Sequence, residues 1–195
     1  ALSSAASDVY KRQILDFLDE QPTAVINGAA GTGKTMVAVE KARRHSVQGD
    51  SVLFLCFNRM LRDHLNQQYK SGLLKKDFEN VDFMTISALA YKVAGDMNGL
   101  EDLKQWLSDC YDKKEVFGYK HVIVDEGQDF GLLGVDDSAN EDSSYGCQII
   151  DILELVALGN GGTFYLFCDR NQIVQGAGAD AQLPACISDS ECKLT

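Results

Sequence analysis

Short apolar runs alternate with longer amphipathic segments along most of the chain. The apolar runs predict buried strands, at TAVIN (23–27), SVLFLCF (51–57), VDFMT (81–85), HVIVDE (121–126) and TFYLFCD (163–169). Apolar residues recur three or four positions apart in the segments between them, which predicts helices, over residues 7–22, 35–49, 58–69, 86–95, 100–112 and 147–159. Strands that are apolar throughout and alternate with helices are typical of a parallel sheet with helices on both faces. The predicted fold class is therefore α/β.

Polar residues follow the predicted strands directly. Right-handed crossovers place the carboxyl ends of parallel strands at one edge of the sheet. Doubly wound sheets bind their ligands at that edge. The candidate chemistry is therefore expected there, at Gly28 to Thr35, Asn58, Thr85, Asp125 and Asp169.

The first of these segments has the spacing Gly28-x-x-x-x-Gly33-Lys34-Thr35. Glycines let the backbone bend closely around a phosphate chain, a lysine reaches the β and γ phosphates, and a threonine hydroxyl ligates magnesium. A Gly-rich turn without a ligand is the alternative, but a buried strand before the turn and a helix after it favour a Walker A loop. The predicted nucleotide contacts are Gly28, Ala29, Ala30, Gly31, Thr32, Gly33, Lys34 and Thr35.

A second carboxylate for the metal is expected at Asp125, at the end of the apolar run VIVD, as in a Walker B motif. Glu126 follows directly and could take a proton from an attacking water. The alternative is that both carboxylates only cap the next helix. In FCDRNQ, Asp169 and Gln172 lie at the end of the fifth predicted strand. Gln172 could contact the γ phosphate or position a water, and the alternative is a polar turn after a strand.

Composition narrows the class of protein. A chain of 195 residues with 45% apolar and 24% charged residues suits one globular domain. A formal net charge of −11 argues against a protein that coats duplex DNA, but it leaves room for a local groove that holds a single strand. No apolar run is long enough to span a bilayer, and no signal-like apolar core begins the sequence.

The remaining features predict structure more than chemistry. Six scattered cysteines form no C-x-x-C pair, which favours a reduced cytoplasmic setting and no zinc. The acidic, Gly- and Ser-rich stretch 131–146 predicts a mobile surface loop. Trp106 is expected in the core. The three histidines show no metal-like grouping in the sequence, so they are interpreted as structural or surface residues, at His45, His64 and His121.

Six elements in this order resemble the N-terminal core domain, 1A, of superfamily 1 helicases of the UvrD/Rep type. GAAGTGKT resembles motif I, VLFLCFNRMLRDHL motif Ia, VDFMTISALA motif Ib, and YKRQILD the upstream glutamine motif. VIVDEGQDF resembles motif II, with Gly127 in place of the usual alanine, and FYLFCDRNQ resembles motif III, with Cys168 in place of a glycine. The resemblance implies a RecA-like P-loop NTPase fold that binds ATP and Mg²⁺.

The resemblance also implies roles for individual residues. Gln13 would contact adenine, Lys34 and Thr35 would bind phosphate and magnesium with Asp125, and Glu126 would be the catalytic base. Gln128 and Gln172 would couple the γ phosphate to the nucleic-acid site, beside Asp169. Residues near a single strand of DNA or RNA would be Phe57, Asn58, Arg59, Thr85 and Ser87.

Family members carry further parts that this sequence does not match. Arginines from motifs IV and VI contact the γ phosphate in such helicases, and ECKLT resembles the segment just before motif IV. A single RecA-like domain over residues 1–195 is thus expected, without domain 2A and without the large insertion, 1B, that often precedes motif II. Because a missing γ-phosphate arginine can cost about 10³–10⁵ in turnover, this chain is expected to bind ATP–Mg²⁺ as a monomer, hydrolyse it weakly and not unwind. The missing domain would be its partner in the parent helicase.

Two other classes of function stay open. A P-loop ATPase that switches a protein partner would use the same phosphate and metal residues without motifs Ia and Ib. A binding module without activity would not need Lys34, Asp125 and Glu126 intact.

Overall fold

The chain is described here by a computed structural model that covers residues 2–96, 99–113, 116–133, 144–169 and 184–188. Five strands form one sheet in the order β1-β5-β4-β2-β3, and every pair is parallel. The predicted α/β class with a parallel sheet is confirmed. The strands are β1 (Thr23–Asn27), β2 (Val52–Cys56), β3 (Val81–Met84), β4 (His121–Asp125) and β5 (Phe164–Cys168).

Helices connect the strands and cover both faces of the sheet. They are α1 (Leu2–Glu20), α2 (Lys34–Val47), α3 (Arg59–Tyr69), α4 (Ile86–Ala94), α5 (Leu100–Lys113), α6 (Tyr145–Gly159) and α7 (Ala185–Ser188). Two 3₁₀ helices, Gly72–Phe78 and Gly127–Leu132, add to these.

Two apolar layers hold the sheet, one on each face. In β2, Leu53 and Leu55 enter the layer built with α4, α5 and α6, whereas Phe54 enters the layer built with α1, α2 and α3. Neighbouring residues of a strand point to opposite faces, so an all-apolar strand is buried on both. Each fully buried aliphatic or aromatic side chain stabilises the fold by about 1.5–3 kcal/mol.

The structure corrects some predicted boundaries. Helix α1 begins at Leu2, five residues before the predicted start at residue 7, because no glycine or proline interrupts the Ala- and Ser-rich start. Of the loop predicted over residues 131–146, residues 134–143 lie outside the described part. Its ends are held together, since the Gly146 N–H donates to the Leu133 carbonyl at 3.1 Å and Ser144 caps α6.

Other structural predictions are confirmed. Trp106 packs partly buried against the core, 5.9 Å from the Phe117 ring. The apolar runs that predicted β2 and β5 bury Cys56 and Cys168 with them. In the described part of the chain, no helix is both long and apolar enough to cross a membrane.

Candidate nucleotide site

The loop after β1 curls around the start of α2. Gly31 and Gly33 have φ angles of 79° and 88°, in the left-handed region that glycine adopts without steric cost. The Gly28 N–H donates to the Cys168 carbonyl at 3.1 Å, which ties the loop to the end of β5. Gly33 directly precedes α2, whose first N–H groups have no partner within the helix and whose N-terminus attracts anions.

Lys34 lies folded over this loop. Its Nζ donates to the Gly28 carbonyl at 2.7 Å and to the Ala29 carbonyl at 3.1 Å. The ammonium group is therefore held beside the helix N-terminus, where a phosphate would have positive charge and N–H donors on the same side.

The side chain of Asp125, at the end of β4, contacts the side chain of Thr35, at the start of α2. The Thr35 hydroxyl donates to Asp125 Oδ2 at 2.7 Å, although 90 residues separate the two in sequence. The Glu126 N–H donates to Asp125 Oδ1 at 3.1 Å. Burial raises the pKa of Asp125 to about 6, against the lowering effect of the Thr35 hydroxyl. A hydroxyl and a carboxylate side by side are oxygen donors of the kind that Mg²⁺ prefers, so the residues fit this ion.

Gln128 connects the two residues that follow β4 and β5. Its Nε2 donates to Glu126 Oε2 at 2.6 Å, and its Oε1 accepts the Asp169 N–H at 2.9 Å. Gln128 is 5% exposed and Asp169 3%, so this bridge lies inside the protein. Glu126 has φ 57° and ψ 43°, a conformation that residues with a side chain seldom adopt, and its side chain makes no cap hydrogen bond. Glu126 therefore stands at the N-cap position of the 3₁₀ helix Gly127–Leu132, but its carboxylate does not cap that helix.

A cavity of about 340 Å³ opens between the phosphate loop and α1. Tyr10 and Ile14 of α1 line it together with Val37 and Phe167. Gln13 is exposed and is not among the lining residues. Tyr10 was not among the residues predicted from the sequence, although its position one helical turn before Ile14 could have indicated it. Gln172 lies outside the described residues.

The predicted nucleic-acid residues follow β2 and β3 at this same edge. Asn58 and Thr85 are helix caps, since their side-chain oxygens accept the N–H groups of Leu61 at 3.0 Å and Ala88 at 3.2 Å. Phe57 is half-buried and packs edge-on against Phe130.

The side chains at this edge differ in accessibility. Arg59 is exposed, Ser87 is half-buried and Thr85 is only 8% exposed. Arg59 and Ser87 are therefore better placed than Thr85 to contact a ligand at the surface.

The opposite edge of the sheet contains a cluster of possible metal ligands that was not predicted from the sequence. His45 and His121 lie together with Asp50, so the interpretation of these histidines as lacking a metal-like grouping is wrong. Residues 45 and 121 are far apart in sequence, and only the parallel crossovers bring them together.

Residues 21–192 match the family model of the Schlafen group 3, DNA/RNA helicase domain. The chain belongs to this family. The match includes the phosphate loop, the Asp125 strand and every predicted nucleic-acid residue, and it begins just after α1, which lies outside it. No curated protein matches the chain. The helicase-like part of the resemblance is thus confirmed, and the family description names no UvrD/Rep relationship.

Proposed function

We propose that this Schlafen-family domain is the ATP-binding core of a helicase of superfamily 1, related to the UvrD/Rep type. A single RecA-like unit would bind ATP–Mg²⁺ and contribute part of a site for single-stranded DNA or RNA. The observation that carries the proposal is the Thr35–Asp125 hydrogen bond of 2.7 Å at the start of α2. A phosphate loop alone is common, but a buried carboxylate on its threonine hydroxyl provides the two protein ligands that a nucleotide-bound magnesium needs.

Each residue of the site has a separate task. Lys34 and the N–H groups of the loop hold the phosphates, Thr35 and Asp125 hold Mg²⁺, and bound Mg²⁺ neutralises charge on the β and γ phosphates. Glu126 accepts a proton from the attacking water. Gln128 fixes the Glu126 carboxylate and links it to the end of β5. Tyr10 and Ile14 form the cavity wall against which the adenine base of ATP would lie, and Gln13 is exposed outside this wall.

A single strand would cross the carboxyl ends of β2 and β3. Arg59 would contact its phosphates and Ser87 would add a hydrogen bond, while Asn58 and Thr85 set the directions of α3 and α4. Because backbone contacts of this kind read no base edge, they serve DNA and RNA alike.

Turnover by this chain is expected to be slow. Among the described residues, no arginine lines the cavity beside the phosphate loop. Arginines that act on the γ phosphate are worth about 10³–10⁵ in turnover. We propose that a second helicase domain provides them, and that closure of two domains is needed for movement along the strand.

The test is ATP turnover by the chain with and without excess oligo(dT) or oligo(U), beside Lys34→Ala. The proposal predicts Lys34-dependent ATP binding with turnover far below that of two-domain helicases. Fast turnover that ignores both oligonucleotides would contradict it and would favour a self-sufficient ATPase switch.

A further inference from the structure

His45, Asp50 and His121 form a cluster at the amino edge of the sheet, opposite the phosphate loop. His45 lies in the last turns of α2, Asp50 follows that helix, and His121 is the first residue of β4. One ligand atom from each residue can be chosen so that all three lie within 4.8 Å of one another. Nothing in the proposed ATPase mechanism uses these groups.

The nitrogen atoms of the cluster are suited to a metal. His45 is 8% exposed, and its Nε2 has no hydrogen-bond partner among the described residues. His121 places Nδ1 at 2.9 Å from the Thr163 hydroxyl and Nε2 at 3.2 Å from Asp50 Oδ2. In metal sites, a hydrogen bond to the ring nitrogen that does not bind the metal orients the histidine. The Thr163 hydroxyl can orient His121 in this way.

The types of side chain also fit a cation. Two neutral imidazoles and one carboxylate are a ligand set that Zn²⁺ and related divalent ions accept.

The charges around the cluster are mixed. The carboxyl end of α2 points here, and helix carbonyls stabilise positive charge. Lys41 is paired with Asp19, and Lys120 pairs with Asp50 at an exposed position. His45 also lines a cavity of about 460 Å³ together with Lys41, Arg43 and Arg44, and Asp50 and His121 are not among its lining residues.

We propose that this cluster is a binding site for a divalent transition metal, with Zn²⁺ as the reference ion. The His45 and His121 rings are stacked, with their centroids 3.6 Å apart. Metal binding therefore requires the His45 ring to rotate until a nitrogen lone pair of each ring points at the ion. Zinc–nitrogen bonds of about 2.0–2.1 Å require ligand atoms about 3.3 Å apart, a closure of about 1.5 Å for the widest pair. The ion replaces the Lys120 ammonium as the partner of Asp50.

Zn²⁺ titration of the 195-residue chain by calorimetry tests the proposal, with Co²⁺ absorption as a second readout. The buffer contains a non-chelating reductant and no nucleotide. One equivalent is expected to bind, and Asp50→Asn and His45→Ala are each expected to weaken binding at least about tenfold. His64→Ala removes an exposed histidine of α3 and is expected to bind like the wild type.

Asp50→Asn guards against misfolding as an explanation, because this side chain is 25% exposed and its loss leaves both layers of the core intact. Bound Zn²⁺ should also raise the melting temperature of the wild type but not of Asp50→Asn. No saturable binding, equal affinity in all three variants, or a Co²⁺ spectrum with thiolate charge-transfer bands would each overturn the proposal.

Discussion

Gly127 stands where the helicases that the sequence resembles usually have alanine, and the structure shows why an alanine would not fit here. A Cβ atom added at Gly127 would lie 2.5 Å from Cδ2 and 2.7 Å from Cγ of Leu166. Leu166 is fully buried in β5, so it has little room to move. Leu166 therefore leaves no room for a side chain at position 127.

We expect Gly127→Ala to lower the free energy of unfolding by about 1–3 kcal/mol, since overpacking in a close-packed core costs this much. In a Leu166→Ala background the same change should cost less, about 0.5 kcal/mol or below, because the clashing atoms are gone. Urea unfolding of the four variants of this cycle measures the coupling. Equal cost of Gly127→Ala in both backgrounds would show that Leu166 is not the obstacle.

The buried His45 makes stability depend on pH. Burial lowers its pKa to about 3, whereas in the unfolded chain the value is about 6.5. Below pH 6.5 the unfolded chain therefore binds a proton that the folded chain does not bind until about pH 3. The contribution to stability is complete above pH 6.5 and is lost as the pH falls toward 3.

In chelator, the free energy of unfolding of the wild type minus that of His45→Phe should fall between pH 7 and 5, by at most about 1.4 kcal/mol per pH unit for one histidine. The difference is used because Asp125, whose pKa is raised, and His121, whose pKa is lowered, also make stability depend on pH. Lys41, His121 and Tyr165 surround His45, and the pKa values of Asp19 and Asp50 are lowered, so these carboxyls stay ionised in this window. His45→Phe keeps a ring in the stack and should reduce the slope. His64→Ala should keep it, and a slope unchanged in His45→Phe would exclude His45 as its source.

Functional residues could be predicted only where they lie close together in the sequence. The Walker A spacing and the Asp125-Glu126 pair are local, so the sequence indicates both. Tyr10 in the cavity wall, the Gln128 bridge to the Asp169 N–H and the histidine cluster depend on which strands become neighbours, and no local pattern contains that information.

The elements were predictable to a greater extent. All five strands begin and end within two residues of their apolar runs, because burial on both faces leaves a strong signal. The 3₁₀ helix Gly72–Phe78 was missed, since such short turns carry no hydrophobic period. The strand order was also not predictable, because the strand–helix alternation is compatible with several orders.

Asn58 and Thr85 cap helices α3 and α4, and the sequence also suggested that both residues contact nucleic acid. Measurements of stability and of nucleic-acid binding can distinguish these two roles. We expect Asn58→Ala and Thr85→Ala to lower the free energy of unfolding by about 1 kcal/mol each, through loss of the cap hydrogen bond. Arg59→Ala should leave stability unchanged and weaken oligo(dT) binding.

Thermal unfolding and fluorescence anisotropy with labelled oligo(dT) measure the two effects on the same proteins. Oligonucleotide binding that is insensitive to Arg59→Ala would remove the carboxyl ends of β2 and β3 as the strand path. A stable Thr85→Ala variant with lost binding would instead make Thr85 a direct contact.

In the whole molecule, α2 connects two chemically different edges of the sheet. Its first residues, Lys34 and Thr35, lie at the proposed nucleotide site, and His45 in its last turns belongs to the proposed metal cluster. Because the apolar layers fix the helix against β1, β4 and β5, substitutions at one edge should leave the other edge folded. The two proposals can therefore be tested independently.

Binding of a fluorescent ATP analogue, measured with Mg²⁺ and with EDTA, tests whether this loop is an ATP–Mg²⁺ site. We expect the wild type to bind in a Mg²⁺-dependent way and Lys34→Ala to bind at least about tenfold more weakly, because it loses a charge-assisted contact. Asp125→Asn should bind with little difference between Mg²⁺ and EDTA, because it loses the carboxylate that holds the ion. Equal affinity of the wild type and Lys34→Ala, with no effect of Mg²⁺ on either, would contradict the assignment of this loop as an ATP–Mg²⁺ site.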